Sequence, residues 1–511
     1  MRELIHRTWN LLRVGKAAWR VRRSNGDEEK RRAQAYLMEL LGRSRGLTAK
    51  VGQFMALNDS TGSFEDWQGG VRPMPFREVE TILDQAYAGK FRALFKKVWP
   101  EGRPASLGQV HRARLRDGRE VAVKVQYPGI RATVESELRL LGWMPEAGPV
   151  RRWGFDWGDY VNSFHDQLNR ELDYPMEAAR QADYRKRSGP VQGLVVPEVI
   201  ESLTRPQVLV QAFETGKPLE EAVRAPALVR QSLGRILLKH YLYMLFQEGV
   251  VHSDPNPANF AFRWSSGKEE VVLYDYGSVF EIPREERLVL LKIIWALQNR
   301  QDVNPMACLA ALGFAVDKLQ DLRPCLGALL AILFEPFLEE GDYDVREWEL
   351  NRRVDQVAGE MKWWFRSAAP ARWVFLMRTL HGLVRLLQRL EVRLPWKWVL
   401  YEAAGEALVE AGNRPLPDLP EGLADGLSFR GLARYLKVDV IKGENNRIVL
   451  TLPARVVDEL EEIIDRPVLE AIRKQNIDLA AIQKRVRATG YAAQTLFEME
   501  DEIRKVRVWL E

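Results

Sequence analysis

His252-Ser-Asp254-Pro-Asn-Pro-Ala-Asn259 is followed, behind the apolar run Val-Val-Leu-Tyr, by Asp275-Tyr-Gly277. An aspartate with an asparagine five residues later, then a second aspartate ahead of an aromatic residue and glycine, is the order used for phosphoryl transfer. Asn259 and Asp275 carry the hard oxygen atoms that suit Mg2+, the ion that neutralises phosphate charge. Asp254 falls where an attacking hydroxyl or water is oriented. Gly277 is expected to let the backbone turn away so that Asp275 points into a cleft. A simple turn uses the same Asp, Asn and Pro, but the ordered set behind an apolar strand is far more specific than a turn requires.

Two further features belong with this set. Lys124 sits in the middle of the alternating run Val121-Ala-Val-Lys-Val-Gln, so its ammonium must reach a polar partner or lose basicity. A lysine on the solvent side of an edge strand would read the same way. Downstream, Glu171-Leu-Asp173-Tyr-Pro175-Met-Glu177 is the best acidic cluster between that strand and the next strand-like run. Pro175 suits only the first turn of a helix, which puts Asp173 near the N-cap and Glu177 about one turn in. The alternative reading of Asp173 is a plain cap. Upstream, Lys50 and Gln53 in Thr48-Ala-Lys-Val-Gly52-Gln-Phe-Met share one helix face. Gly52 weakens such a helix, as a close packing contact would require.

The elements that must position these groups follow from the hydrophobic period. Residues about 28 to 95 read as helices. From about Ala105 the pattern alternates, and Arg116-Asp-Gly-Arg between two alternating runs predicts a β-hairpin. A helical stretch is expected over about 131–185, then strands at Leu194–Ile200 and Gln207–Phe213. Residues Leu219 to about 415 read as helical with one break into strand at Glu270–Tyr274. A second hairpin is expected at Val438–Lys442 and Arg447–Leu452, then helices and a last strand at Val506–Leu510.

Composition excludes several classes. The 511 residues are 46% hydrophobic and 28% charged, which is ordinary for globular domains and rules out disorder or low complexity. Two cysteines, Cys308 and Cys325, exclude a thiolate zinc cluster and a secreted disulfide framework, so a reducing, cytoplasmic compartment is expected. The net charge of +5 comes without any nucleic-acid-binding pattern, so no nucleic-acid partner is expected. Residues 1–24 differ: seven basic side chains stand against one acid, with Ile5, Trp9, Leu12 and Trp19 at helical spacing. Such a helix suits an anionic membrane surface, and it equally suits docking on its own protein. No signal peptide and no transmembrane span is expected, because Glu335 cuts short the run Cys325–Phe334 and Arg378, Arg385 and Arg389 interrupt Trp373–Leu390. Both read as buried core helices, and contact of the chain with a membrane would be peripheral.

Taken together these residues resemble the UbiB/AarF (ADCK-like) atypical kinase-like family. The resemblance runs from about residue 45 to 280 and includes Lys50-Val-Gly52-Gln53, the strand Val-Ala-Val-Lys124-Val-Gln-Tyr-Pro-Gly, Glu171-x-Asp173 and His252-x-Asp-Pro-x-Pro-x-Asn259. It implies an α+β, two-lobed protein-kinase-like fold with a helical N-terminal extension over the cleft and a C-terminal α+β extension. The implied organisation is a basic helix at 1–24, the extension at 25–95, an N-lobe at 96–215, a helical C-lobe at 216–430 and an α+β segment of unassigned role at 431–511. By the same resemblance Lys124 and Glu177 form an ion pair, Asp254 is the catalytic carboxylate, and Asn259 and Asp275 hold Mg2+. Ala105, Ser106, Gly108, Gln109, Lys124, Gln211 and Phe213 would contact ATP or ADP, and Lys50, Gly52, Gln53, Glu171 and Asp173 would form the motif over the cleft. The implied activity is that of an ATPase or small-molecule phosphotransferase supporting ubiquinone or other isoprenoid-lipid metabolism at a membrane. Departures are the loop Arg103–Gln109, which lacks two of the family's alanines, and Asn256, Ala258 and Tyr276, which stand for His, Gly and Phe. Only five residues separate Gly277 from Pro283, too few for the activation segment on which a protein kinase docks a peptide. A protein kinase and a nucleotide-binding scaffold without turnover are the alternatives.

Overall fold

The computed structural model describes residues 73–132, 169–419 and 433–511, apart from positions 106, 266, 434, 443–445, 465, 476, 489–490, 492 and 501–503. The expected basic helix at 1–24, the motif Lys50, Gly52 and Gln53, and Ser106 lie outside the described residues. The chain divides into two units, one of residues up to 244 with 250–281 and 375–392, the other of 245–249, 282–374 and 393–511. The expected boundary at residue 216 does not coincide with this division.

In the first unit, Val79, Ile82 and Leu83 recur at spacings of three and four and bury one face of α1 (Phe76–Ala86). Ala88 and Gly89, both at positive φ, end it. The chain then enters β1 (Phe95–Pro104), which the helical reading to residue 95 and the alternation from Ala105 missed. Pro100, Gly102 and Pro104 break its alternation, and its register against β2 slips between Val98 and Gly102. Proline is tolerated because β1 is an edge strand. β2 (Gly108–Leu115) and β3 (Glu120–Gln126) form the expected hairpin, with Gly118 at φ +94° in its turn. α2 (Tyr174–Arg187) follows. β4 is only Leu194–Val195, shorter than expected, since Pro197 cannot donate to a ladder. β5 (Val208–Ala212) completes an antiparallel sheet of order β1-β2-β3-β5 over a core that includes Val79, Leu83, Val121, Val123, Val125 and Leu172.

α3 (Ala227–Tyr243) leads to four strands where one was expected: β6 (Val250–His252), β7 (Phe260–Ser265), β8 (Lys268–Leu273) and β9 (Val279–Glu281). Two of the four, β6 and β9, have three residues each and are too short to show a period. β7 and β8 form a hairpin with β4 parallel to β8, and β6 pairs with β9. Residues 375–390 of the return helix (Ala371–Leu390) also belong to this unit.

Between α2 and α3 the Tyr184 hydroxyl donates to His240 Nε2 at 2.6 Å. Burial, reinforced by His252, pushes the His240 imidazole down to about 3. The folded pKa is depressed, so this stabilisation is present above the unfolded value near 6.5 and is lost as pH falls toward 3. At pH 5 the loss is about 2 kcal/mol. Melting at pH 7.5 and 5.0 should show a stability drop that shrinks by that amount in His240→Gln. An equal drop in both proteins would remove His240 as its source.

The second unit contains α4 (Arg284–Gln298), α5 (Leu326–Leu338) and α6 (Trp396–Asn413). The expected hairpin near the C-terminal end is β10 (Tyr435–Lys442) with β11 (Asn446–Pro453). β12 (Gln494–Glu500), not expected, and β13 (Arg504–Leu510) extend it to the order β11-β10-β13-β12. Its inner face, including Leu436 and Val508, packs with Ile472 and Val486 of the helices Arg466–Lys474 and Leu479–Ala488.

Candidate active site

Two strand pairings bring the sequence motifs together. The β7–β8 register sets Phe260 opposite Leu273, and Tyr274 N–H donates to the Asn259 carbonyl at 2.8 Å, so Asn259 and Asp275 become neighbours. The β6–β9 register sets His252 opposite Val279, and Ser253 N–H donates to the Ser278 carbonyl, which brings Asp254 beside the Asp275–Gly277 turn. Asn256 caps Ala258 N at 3.0 Å and stiffens the loop between them. Asn259 Nδ2 then donates to Asp254 Oδ2 and to its backbone carbonyl, both at 3.1 Å. That commitment of the amide nitrogen leaves Asn259 Oδ1 as the atom available to a cation.

Asp275 adopts φ +59°, a left-handed conformation that aspartate tolerates. His252 Nε2–H holds its carbonyl at 2.6 Å, and Gly277 N–H reaches its Oδ1 at 3.2 Å. Gly277 itself does not have positive φ, so the expectation that it supplies the turn is corrected. Its role is steric: a Cβ there would lie 2.8 Å from Glu171 Cγ.

Lys124, opposite Val110 and Leu209 in the sheet, reaches Glu177 Oε1 at 2.7 Å and Asp275 Oδ1 at 3.4 Å. Glu177 is one turn into α2 because Asp173 caps that helix, its carboxylate accepting from Met176 N at 3.1 Å with Pro175 in the first turn. The cap reading of Asp173 is therefore the observed geometry. Burial opposes the Lys124 charge, but Asp275 and Glu177 outweigh it and hold the ammonium well above the usual lysine range. Burial likewise pushes Glu177 up to about 7, against the pull of Lys124. Gln126 Nε2 and Arg131 Nη2 both donate to the Leu172 carbonyl, at 2.7 and 3.1 Å, and so fix the backbone between Glu171 and Asp173.

The remaining expected nucleotide contacts divide. Ala105 N–H donates to the Gly108 carbonyl in a tight turn, and a Cβ on Gly108 would lie 2.4 Å from the Val125 carbonyl oxygen, so only glycine fits. Gln109 is corrected: its side chain is buried, Oε1 accepts from Met74 N at 2.8 Å and Nε2 donates to His111 Nε2 at 2.8 Å, which leaves nothing for a nucleotide. Gln211 Oε1 accepts from Gln181 Nε2 at 2.6 Å, and Phe213 lies under the Arg112 guanidinium at 5.1 Å. Both stand where β5 runs out into the connector Phe213–Thr215.

Other residues were missed from sequence. The Tyr274 hydroxyl donates to the Glu214 carbonyl at 2.8 Å, and Arg263 pairs with the Glu214 carboxylate and the Thr215 carbonyl, clamping that connector. Arg378 Nη2 lies 3.3 Å from Asp254 Oδ1. Its signal in the sequence was an arginine in an apolar helix, which burial tolerates only with a partner.

The donor set fits Mg2+. Asp275 offers a carboxylate and Asn259 an amide oxygen, and among the described residues no group of three or more His, Cys, Asp or Glu gathers as an all-protein metal cage. Mg2+ bound beside phosphates uses one or two such ligands.

Residues 66–307 match the ABC1 atypical kinase-like domain. The chain is 31% identical over 254 residues to atypical kinase coq-8, mitochondrial, of Caenorhabditis elegans, covering 47% of this chain but 33% of that protein. It is 26% identical over 401 residues to atypical kinase COQ8B, mitochondrial, of Rattus norvegicus, covering 75% and 74%. The chain thus spans a third of the nematode relative and three quarters of the rat one. Among solved structures, the Rv3197–erythromycin complex from Mycobacterium tuberculosis aligns at a TM-score of 0.53 with 23% identity over 76% of this chain and 98% of that one, a likeness of fold alone. No helix among the described residues is long and apolar enough to cross a membrane. Residues 66–307 thus match the ABC1 atypical kinase-like domain, and the relatives to which the chain is similar are named atypical kinases of the COQ8 group.

Proposed function

We propose that the chain binds ATP or ADP with Mg2+ and transfers the γ-phosphoryl group of ATP to water or a small acceptor, releasing ADP. The observation that carries this is the convergence of Lys124, paired with Glu177 at 2.7 Å, on Asp275 at 3.4 Å, with Asn259 and Asp254 bonded beside it. Lys124 would contact phosphate oxygens with its charge secured by two carboxylates. Asn259 Oδ1 and Asp275 would hold Mg2+, which supplies charge neutralisation along the phosphates. Asp254 would orient the attacking oxygen and accept its proton. Ala105 and Gly108 would let the β1–β2 turn lie close over the phosphates.

The short segment after Gly277 favours a small acceptor over a peptide. Val279–Glu281 is tied into β9 against β6, and Pro283 already caps α4. Ser253, its hydroxyl 2.7 Å from that of Ser278, stands where a protein kinase would need an arginine to read a phosphorylated loop. A second partner, an anionic membrane surface or an isoprenoid lipid, rests on the basic segment 1–24 and on the family resemblance, and so does peripheral placement in the cytoplasm.

Asp254→Asn separates binding from turnover. Mg-dependent nucleotide binding should persist, while ATP hydrolysis should fall by on the order of 100-fold or more. Hydrolysis at the wild-type rate in this variant would remove Asp254 from the chemistry. Absence of hydrolysis in the wild-type chain, with binding intact, would favour the scaffold reading.

A further inference from the structure

The family match ends at residue 307, yet residues 375–392 fold into the same unit as the candidate site. The return helix meets the loop His252–Asn259 at successive points on one face. Arg378 Nη2 is 3.3 Å from Asp254 Oδ1. Thr379 Oγ1 lies 3.5 Å from the His252 carbonyl oxygen. One turn after Arg378, a Cβ on Gly382 would lie 2.0 Å from Pro255 Cγ, so only glycine allows the helix this close. The side chains of Arg378 and Asp254 are each 11% exposed, which leaves their attraction little screened by solvent. An arginine cannot relieve burial by losing its proton.

We propose that Arg378 is a positioning residue for Asp254, and that the return helix is part of the phosphoryl-transfer machinery although it lies outside the family domain. This rests on the phosphoryl-transfer reading of the site. Arg378 holds one carboxylate oxygen and Asn259 Nδ2, at 3.1 Å, holds the other. The carboxylate is thereby fixed in one plane beside the phosphates, where a carboxylate held at one oxygen alone would swing away. Gly382 sets the helix at the distance this contact needs. Arg378 acts through Asp254 and not on the nucleotide, so its loss should lower kcat and spare KM for Mg–ATP.

The test uses the full chain and compares wild type, Arg378→Gln and Arg378→Lys, with Arg378→Gln also made in the Asp254→Asn background. Arg378→Gln should lower kcat by on the order of 30-fold, with KM within about twofold. Arg378→Lys should recover part of the rate, and Arg378→Gln should add nothing once Asp254 is Asn. An unchanged kcat, a parallel rise in KM, or the same loss in both backgrounds would overturn the proposal. Circular dichroism and melting establish that each variant is folded. Should Arg378→Gln not fold, Gly382→Ala takes its place: it keeps every charge but forces helix and loop apart, and a wild-type kcat there would overturn the proposal as well. A wild-type chain without turnover overturns the functional reading itself, whereas an active wild type indifferent to Arg378 overturns only this inference.

Discussion

Asp275→Asn should abolish the Mg-dependent stabilisation of the chain by nucleotide, lowering affinity for Mg–ATP by on the order of 100-fold. Asparagine keeps the shape and tolerates the φ of +59° that Asp275 adopts, so the turn should survive. What is lost is the carboxylate charge that would hold the cation and that lies 3.4 Å from Lys124. Lys124 keeps Glu177, so its own burial stays compensated. Thermal melts with ATP or ADP, in Mg2+ and in EDTA, provide the readout. Binding of Mg–ATP at wild-type affinity by the variant would sink the assignment of Asp275 as metal ligand.

The second large effect concerns the pair Lys124–Glu177. Removing one member of a buried pair leaves the other charge uncompensated, at about 3–5 kcal/mol. The two removals should not be equal. Glu177→Gln leaves Lys124 with Asp275, whereas Lys124→Met leaves two carboxylates without their cation, so the lysine variant should be the less stable. Its deficit should also depend on pH. Glu177 already sits near 7 through burial with Lys124 opposing that rise, and without Lys124 it moves higher still. For a carboxyl raised above its unfolded value near 4.5, stability is greatest with the proton on and declines as pH rises through the folded value. Lys124→Met should therefore be less stable at pH 8 than at pH 6, and a double-mutant cycle should show coupling between the two positions. Strict additivity, or a deficit independent of pH, would show that the pair does not carry this energy.

The chemistry was easier to read in this sequence than the architecture. Asp254, Asn259 and Asp275 stand in short order near one another along the chain, and two antiparallel strand registers suffice to assemble them. Pro175 alone placed Asp173 at the cap and Glu177 one turn in, as the structure has them. The strands around the loop were missed because three residues, as in β6 or β9, are too few to show a period. β1 was missed because edge position tolerates the prolines that disguise it. Gln109 was misassigned because motif order says nothing about which side of a strand faces the cleft, and here the side chain turns toward Met74. Gly277 was credited with a backbone conformation that Asp275 supplies, since a glycine needed for close approach to Glu171 looks the same in sequence. Arg378 was legible only as an anomaly, because its partner lies 124 residues away in the chain.

Titrating ATP onto the full chain by calorimetry, once in Mg2+ and once in EDTA, tests the central claim most directly. Saturable one-to-one binding that requires Mg2+ and is lost in Asp275→Asn is the expected result. No binding of nucleotide, or binding indifferent to both Mg2+ and Asp275, would contradict it.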